Sequence, residues 1–242
     1  MAVRSSVLCM PARLVILAVL FALELFAAQT KIACIGDSIT EGAGLGSPTL
    51  ESYPARLQRL LGGTNEFLVR NFGVSGRTLL KRGDLPYWRE IAFTNSRTFG
   101  PDIVIIQLGT NDSKPQNWAY RTNFLADYKE MIAIYAALPS TPRIYLCTPC
   151  PVFGNGNFSI NPGIVRTNIA PLVRDLAAEL TLPVIDLHRR MTNSTWFPDT
   201  VHPNTRGMAA MAAVMFESLF GSLRSKIPLP SRWSKPPRHA SS

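Results

Sequence analysis

Short apolar runs alternate along the chain with longer segments whose apolar residues recur at helical spacing. Strands of near-continuous Val, Ile and Leu joined by amphipathic helices are typical of a parallel sheet covered on both faces. The strand candidates are residues 32–36, 67–72, 102–109, 143–147 and 183–187, and the helix candidates include YPARLQRLLG, FLADYKEMIAIYAAL, IAPLVRDLAAEL and residues 205–223. The sequence therefore predicts an α/β fold, a three-layer α/β/α sandwich with a mostly parallel five-stranded sheet.

The two ends of the chain differ in composition from the body between them. Residues 1–28 place Arg4 and Arg13 before an apolar run of about 14 residues that contains Glu24, which is short of the roughly 20 needed to span a membrane. We predict a cleaved signal peptide, and so a secreted or periplasmic protein with no stable membrane span after cleavage; an uncleaved anchor is the alternative. Residues 224–242 predict a basic, Pro- and Ser-rich disordered tail.

The formal net charge of +9 is concentrated at these ends. The tail carries five basic and no acidic residues, and the leader has one excess positive charge, so the body is only weakly basic. A nucleic-acid-binding face needs basic residues clustered on the folded body. We therefore expect no nucleic-acid partner. Between the leader and the tail, residues 29–223 have a length that suits a single domain.

Three cysteines remain once Cys9 leaves with the leader: Cys34, Cys147 and Cys150. An odd number of cysteines does not indicate a disulfide framework. Cys147 and Cys150 have the spacing of a redox motif, but they follow a predicted strand instead of opening a helix. Free thiols are the favoured interpretation, with a disulfide between these two as the alternative.

Four polar clusters follow predicted strands or lie in the loops beyond them. In an open parallel sheet the ligand crevice lies outside the carboxyl ends of the strands. The clusters are GDS (36–38), NFGVSG (71–76), GTND (109–112) and DTVH (199–202). The fold prediction therefore brings these segments to one site.

A serine hydroxyl at that site needs a general base, which is usually a histidine oriented by a carboxylate. His239 lies in the tail, and His188 follows a strand in a surface or structural position. His202 differs because Asp199 precedes it by three residues, so one turn of chain can join carboxylate and imidazole. Ser38, His202 and Asp199 are therefore the candidate catalytic residues, although the DTVHP loop could also be a helix N-cap.

Ester cleavage also needs hydrogen-bond donors for the oxyanion. The backbone NH groups of Ser38 and Gly76 and the side-chain amide of Asn111 are suitable. The structural alternatives are a turn with positive φ at Gly73 and Gly76, and a turn cap at Asn111.

GDSIT, NFGVSG, GTND and DTVHPN, in this order, resemble the four sequence blocks of the SGNH hydrolase superfamily, the GDSL esterases and lipases. The resemblance spans roughly residues 31–218 and implies an SGNH hydrolase domain over 29–223. It also implies the roles of the site residues: Ser38 as nucleophile and oxyanion donor, Gly76 and Asn111 as the other donors, and Asp199 with His202 as the rest of the triad.

Two positions depart from the family pattern or allow two assignments. Ile39 stands where the GDSL signature has Leu, a conservative apolar change. Glycine occurs at both Gly73 and Gly76. We assign the donor to Gly76, because it follows Ser75 as in the family block, and keep Gly73 as the second choice.

The segments 73–88 and 109–118 also resemble secreted bacterial sialate O-acetylesterase-like proteins and carbohydrate acetylesterases. Possible substrate-binding residues are Asp37, Gly73, Trp88 and Trp118. Flat aromatic rings with polar neighbours suit sugar faces, but the two tryptophans could equally anchor the core.

The predicted function is removal of O-acetyl groups from carbohydrate, either sialate or polysaccharide acetyl esters, through a serine acyl-enzyme with no metal or organic cofactor. The partner is accordingly a small-molecule or polysaccharide acetyl ester, and the oligomeric state is left open. The alternatives are a short-chain aryl esterase or lysophospholipase with the same triad, and a noncatalytic carbohydrate-binding protein.

Overall fold

The computed structural model of the protein describes residues 29–63 and 66–221. The predicted leader and tail therefore lie outside the described residues. The strands are β1 (Thr30–Gly36), β2 (Phe67–Gly73), β3 (Ile103–Gln107), β4 (Arg143–Cys147) and β5 (Val184–Ile185). They form one sheet in the order β2-β1-β3-β4-β5, and every neighbouring pair is parallel. The predicted α/β fold is confirmed.

Helices connect the strands, as the apolar spacing predicted. In chain order they are α1 (Ser38–Glu41), α2 (Pro48–Glu51), α3 (Tyr53–Leu60), α4 (Ile91–Thr98), α5 (Pro115–Trp118), α6 (Phe124–Ala136), α7 (Pro162–Ile164), α8 (Ala170–Glu179), α9 (Leu187–Arg190) and α10 (Thr205–Phe220). A π-helical turn over Val165–Ile169 joins α7 to α8. No helix in the described ranges is both long enough and apolar enough to cross a membrane.

Each face of the sheet has its own hydrophobic core, because alternate strand residues point to opposite sides. On one face Ile35 and Ile106 belong to a core that includes Met131 of α6. On the other face Cys34 and Ile105 pack in a core with residues of α3 and α10. The helical layers therefore hold the sheet rigid from both sides.

The crevice position follows from the strand order. From β1 the chain forms β2 on one side and then returns past β1 to form β3 on the other side. Ligand sites of open α/β sheets lie at such reversals, beyond the carboxyl ends of the strands. Ser38 follows β1 and Asn111 follows β3, so both residues lie at this point of the sheet.

The last strand is shorter than predicted. Residues 183–187 were expected to be extended, but only Val184 and Ile185 pair with β4. Asp186 instead caps α9, where its side chain accepts a hydrogen bond from the backbone NH of Arg189. Helix formation therefore ends the strand early.

Candidate active site

The turn after β1 presents Ser38 at the edge of the crevice. Asp37 caps α1, because its Oδ1 accepts a hydrogen bond from the backbone NH of Ile39 at 2.9 Å. Ser38 is the first residue of that helix, and only 8% of it is exposed. A Cβ at Gly36 would overlap the Thr40 hydroxyl, so glycine lets the strand and the helix approach closely.

Ser38, His202 and Asp199 form a continuous hydrogen-bonded chain. The Oγ atom of Ser38 lies 2.9 Å from Nε2 of His202, and Nδ1 of His202 lies 2.7 Å from Oδ2 of Asp199. With Nδ1–H donating to the carboxylate, Nε2 is left to accept the hydroxyl proton. The structure thus brings together the three candidate catalytic residues.

The turn that carries Asp199 and His202 is tightly constrained. Oδ1 of Asp199 accepts hydrogen bonds from the backbone NH groups of Val201 at 3.0 Å and His202 at 2.7 Å. Thr200, which lies between Asp199 and Val201, has a φ of 72°, a left-handed conformation that is unusual for a β-branched residue. The carboxylate therefore orients the imidazole and also holds the backbone of the turn.

The ionisation of Asp199 suits this arrangement. Burial raises the pKa of its carboxyl, but hydrogen bonds from the backbone and ring of His202 and from the Val201 backbone more than offset that effect. The pKa of Asp199 is consequently lowered below its ordinary value. The residue is a carboxylate at neutral pH and can stabilise an imidazolium beside it.

The two glycines of the second block have different surroundings. The NH of Gly73 donates to Oδ1 of Asn71 at 2.9 Å, and a Cβ at Gly73 would overlap the backbone of Glu41. The NH of Gly76 has no acceptor within residues 29–63 and 66–221, and its φ is 80°. The NH of Gly76 is therefore left available for another acceptor, whereas Gly73 is needed for close approach of two chain segments.

Asn111 lies in a short 3-10 helix after β3. Its Nδ2 donates to the carbonyl oxygen of Arg77 at 3.2 Å, which leaves the second amide hydrogen for another acceptor. Arg77 directly follows Gly76, so this bond links the third sequence block to the second. The bond therefore holds the Asn111 side chain close to the backbone that follows Gly76.

Two buried carboxyl groups lie under the site. Burial raises the pKa of Asp37 to about 6 despite the hydrogen bond from Ile39, and its Oδ2 has no partner among the described residues. Burial likewise raises the pKa of Asp112 to about 7, although its oxygens accept backbone hydrogen bonds from Leu79 at 3.0 Å and Leu80 at 2.7 Å. Asp37 is fully buried, which places it beneath the crevice and away from a bound substrate.

The two tryptophans considered for substrate contact are packing residues. Trp118 is 9% exposed, and its ring meets Phe124 edge to face at 5.8 Å. Trp88 is half-buried, donates from Nε1 to the carbonyl oxygen of Leu79 at 2.6 Å, and packs against Phe93. Their apolar surfaces are used in the core, as the alternative interpretation anticipated.

An aromatic residue that the sequence analysis did not single out lies beside the triad. The loop after β4 brings Phe158 to His202, with ring centroids 5.2 Å apart and planes at 65°. Phe158 is 60% exposed. Its position after the carboxyl end of a strand, in the glycine-rich stretch FGNGNFS, was the available signal.

A cavity of about 400 Å³ is lined in part by the same loop. Its lining includes Pro151, Phe153, Arg166 and His188, and it does not include Ser38, Asp199 or His202. His188, for which a surface or structural position was predicted, is half-buried, and burial together with the positive charge of Arg174 lowers the pKa of its imidazole.

Cys34, Cys147 and Cys150 are all buried free thiols. Burial raises the pKa of Cys34 to about 12 and also raises the pKa of the other two thiols, so they are poor nucleophiles. Across the part of the chain that the structure describes, no three His, Cys, Asp or Glu side chains are grouped to hold a metal ion.

The sequence of residues 34–210 matches the GDSL-like lipase/acylhydrolase family. This segment is most of the chain, and the chain belongs to that family, which is the SGNH class its four blocks predicted. It carries a hydrolase domain of the class that acts on ester bonds.

Relatives give the resemblance more detail. The chain is 40% identical over 204 residues to an acetylxylan esterase of Xylanibacter ruminicola, a match that covers 76% of this chain and 42% of the relative. The chain therefore spans less than half the length of that protein.

Solved structures show the same fold. A carbohydrate acetylesterase family member from Sinorhizobium meliloti matches with a TM-score of 0.66 at 24% identity, over 81% of this chain and 99% of that one. The aryl esterase of M. smegmatis matches with a TM-score of 0.62 at 21% identity, over 80% and 99%.

Proposed function

We propose that this protein is a serine acetylesterase that removes O-acetyl groups from carbohydrate. The observation that carries the proposal is the hydrogen-bonded chain from Ser38 through His202 to Asp199, with separations of 2.9 and 2.7 Å. Nucleophile, base and orienting carboxylate at these distances are what acyl transfer to a serine requires.

In the proposed reaction, Oγ of Ser38 attacks the ester carbonyl carbon while Nε2 of His202 takes the hydroxyl proton. The carbonyl electron pair moves to oxygen, and the oxyanion accepts hydrogen bonds from the NH groups of Ser38 and Gly76 and from the Asn111 amide. The tetrahedral intermediate collapses, and His202 protonates the departing sugar hydroxyl. The proposed steps require no metal or organic cofactor.

Water completes the cycle. It attacks the acetyl-enzyme carbonyl as His202 again accepts a proton, and the second intermediate collapses to acetate and free Ser38. The ionised Asp199 stabilises the imidazolium that forms in each half-reaction.

A relative favours acetyl and sugar as the two halves of the ester, because the 40% identical protein is named an acetylxylan esterase. We further propose that the protein acts outside the cytoplasm, as the predicted leader over residues 1–28 implies.

The test compares wild type with Ser38→Ala on p-nitrophenyl acetate, and then on acetylated xylan and O-acetyl sialic acid. The activity of the variant should fall by a factor on the order of 10⁴ to 10⁶, and its fold should be unchanged. Retained activity would remove Ser38 from the mechanism.

Parallel rates on p-nitrophenyl butyrate and a lysophospholipid test the rival esterase functions. Higher kcat/KM on those esters than on acetylated sugars would favour an aryl esterase or lysophospholipase. Tight sugar binding with no turnover of any ester would favour a noncatalytic binding protein.

A further inference from the structure

We propose that Phe158 is the sugar-binding platform of the site, on which the ring that carries the acetyl ester stacks while the ester reaches Ser38. This inference rests on the proposed acetylesterase function and specifies how its alcohol half is recognised. The aromatic surface for which Trp88 and Trp118 were considered is thereby assigned to the loop after β4.

Location is the first support. The Phe158 ring lies 5.2 Å from the imidazole of His202, centroid to centroid. Since His202 protonates the departing hydroxyl in the proposed mechanism, the alcohol half of the ester must lie beside this imidazole. An aromatic ring there is within reach of the leaving group.

Exposure is the second support. Phe158 is 60% exposed, and it is the one aromatic side chain among the large apolar residues exposed in the described ranges. Neighbouring Ile160 is buried in a small cluster with Val165 and Val201. In this loop the side chain of Ile160 is therefore packed in an apolar cluster, whereas the side chain of Phe158 is exposed to solvent.

The loop that carries Phe158 is hydrogen-bonded to the turn that carries Asp199 and His202. The NH of Phe153 donates to the carbonyl oxygen of Thr200 at 3.0 Å, and Nδ2 of Asn157 donates to that of Asp199 at 2.8 Å. The same cluster packs around Val201, which lies between the two triad residues of that turn. A platform fixed in this way loses little conformational entropy when a ligand binds.

The backbone conformation also points to a function for this position. Phe158 and Ser159 have φ values of 57° and 61°, and such values are outliers for a bulky side chain. Strained residues of this kind persist where the surrounding structure fixes them, and they cluster at ligand-binding sites.

The experiment measures kcat/KM on a monoacetylated xylobiose and on ethyl acetate, which has no ring, and takes their ratio. Phe158→Ala should lower this ratio about 3- to 10-fold, mainly through KM for the sugar ester, which is the range expected for loss of one aromatic contact. Phe158→Trp should keep the ratio near that of wild type.

Leu180→Ala is the matched control. Leu180 is also exposed, but it follows α8 and precedes β5, which places it at the amino edge of the sheet, away from the crevice. The ratio of the two kcat/KM values for Leu180→Ala should equal that of wild type. The thermal midpoints of all variants should be recorded to verify folding.

Three results would overturn the platform. Wild-type kcat/KM on both esters in Phe158→Ala would remove Phe158 from sugar binding. An equal fall on both esters, which leaves the ratio unchanged, would make it a positioning residue for His202, and a larger fall on p-nitrophenyl butyrate than on the sugar would make it an aryl or acyl contact. Wild type that cleaves ethyl acetate but no acetylated sugar would instead overturn the proposed substrate class and leave the esterase chemistry standing.

Discussion

Oγ of Ser38 and Nε2 of His202 lie 2.9 Å apart, although 164 residues separate them in the chain. The sheet explains this proximity. Ser38 follows the second strand in spatial order, and the turn with His202 comes back over the carboxyl ends just before α10. Local structure alone cannot bring two residues this far apart in sequence into contact, so the site depends on the whole fold.

Loss of Asn111 should slow the chemical step. Asn111→Ala removes one proposed oxyanion donor, and kcat on p-nitrophenyl acetate should fall about 10²- to 10³-fold. KM should change little, because the donor acts on charge that develops in the transition state. Asn95→Ala, at an exposed position of α4, is the control; a kcat for Asn111→Ala within threefold of that control would exclude Asn111 from the oxyanion hole.

Alanine at the two glycines of the second block should have different effects. Gly73→Ala would force a Cβ into the backbone of Glu41, so it should mainly reduce the free energy of unfolding. Gly76→Ala meets only the end of the Leu85 side chain, at 3.3 Å, but its φ of 80° costs about 1 kcal/mol for a residue with a Cβ.

Gly76→Ala should therefore be the variant whose kcat falls more than its stability, because a shifted NH no longer meets the oxyanion. Urea unfolding and steady-state kinetics on both proteins check this. If Gly73→Ala folded with wild-type stability and lost kcat, the donor assignment would pass to Gly73.

Stability should depend on pH through Asp37. Its pKa in the folded protein is raised to about 6 by burial, above the roughly 3.9 of an unfolded aspartate, so the folded state binds the proton more tightly. The stability from this group is fully present below about pH 4 and is lost as the pH rises through about 6. Asp112, with its pKa raised to about 7, acts in the same direction.

Asp37→Asn removes the charge and keeps Oδ1 as an acceptor for the Ile39 NH. Relative to wild type, its free energy of unfolding should rise at pH 8 by an amount on the order of 2 kcal/mol, with little difference at pH 4. Urea titrations of both proteins at these pH values provide the measurement. A variant less stable than wild type at pH 8 would contradict a charged, poorly solvated Asp37.

The three thiols should be inert in the native protein. Cys34, Cys147 and Cys150 are buried, and their raised pKa values leave little thiolate at neutral pH. Ellman's reagent should react with them only after unfolding, and a reductant should leave the thermal midpoint unchanged. A lower midpoint in reductant would indicate the Cys147–Cys150 disulfide that the sequence left as an alternative.

The fold was predictable because its signals are local and repeated. Each apolar run is long enough to mark a strand, and the spacing in α6 or α10 marks a buried stripe. The boundary of β5 was not predictable, since it depends on Asp186 capping α9 instead of extending the strand.

The position of the triad was predictable in part because strand ends gather at one edge, and in part because four blocks resemble a family. The packing roles of Trp88 and Trp118 were not predictable, because the side chain of a tryptophan after a strand can point either into the core or into the crevice. Phe158 was missed because its loop has no periodicity, and its contact with His202 exists only after long-range packing.

The order of the site residues along the chain has a consequence for synthesis. Ser38 leaves the ribosome early, whereas the turn with Asp199 and His202 emerges only when one long helix, Thr205–Phe220, remains of the described fold. In the proposed mechanism, a chain that stops before residue 199 has the hydroxyl but no base to activate it. Esterase activity should therefore begin only when the segment that carries Asp199 and His202 has folded onto the sheet.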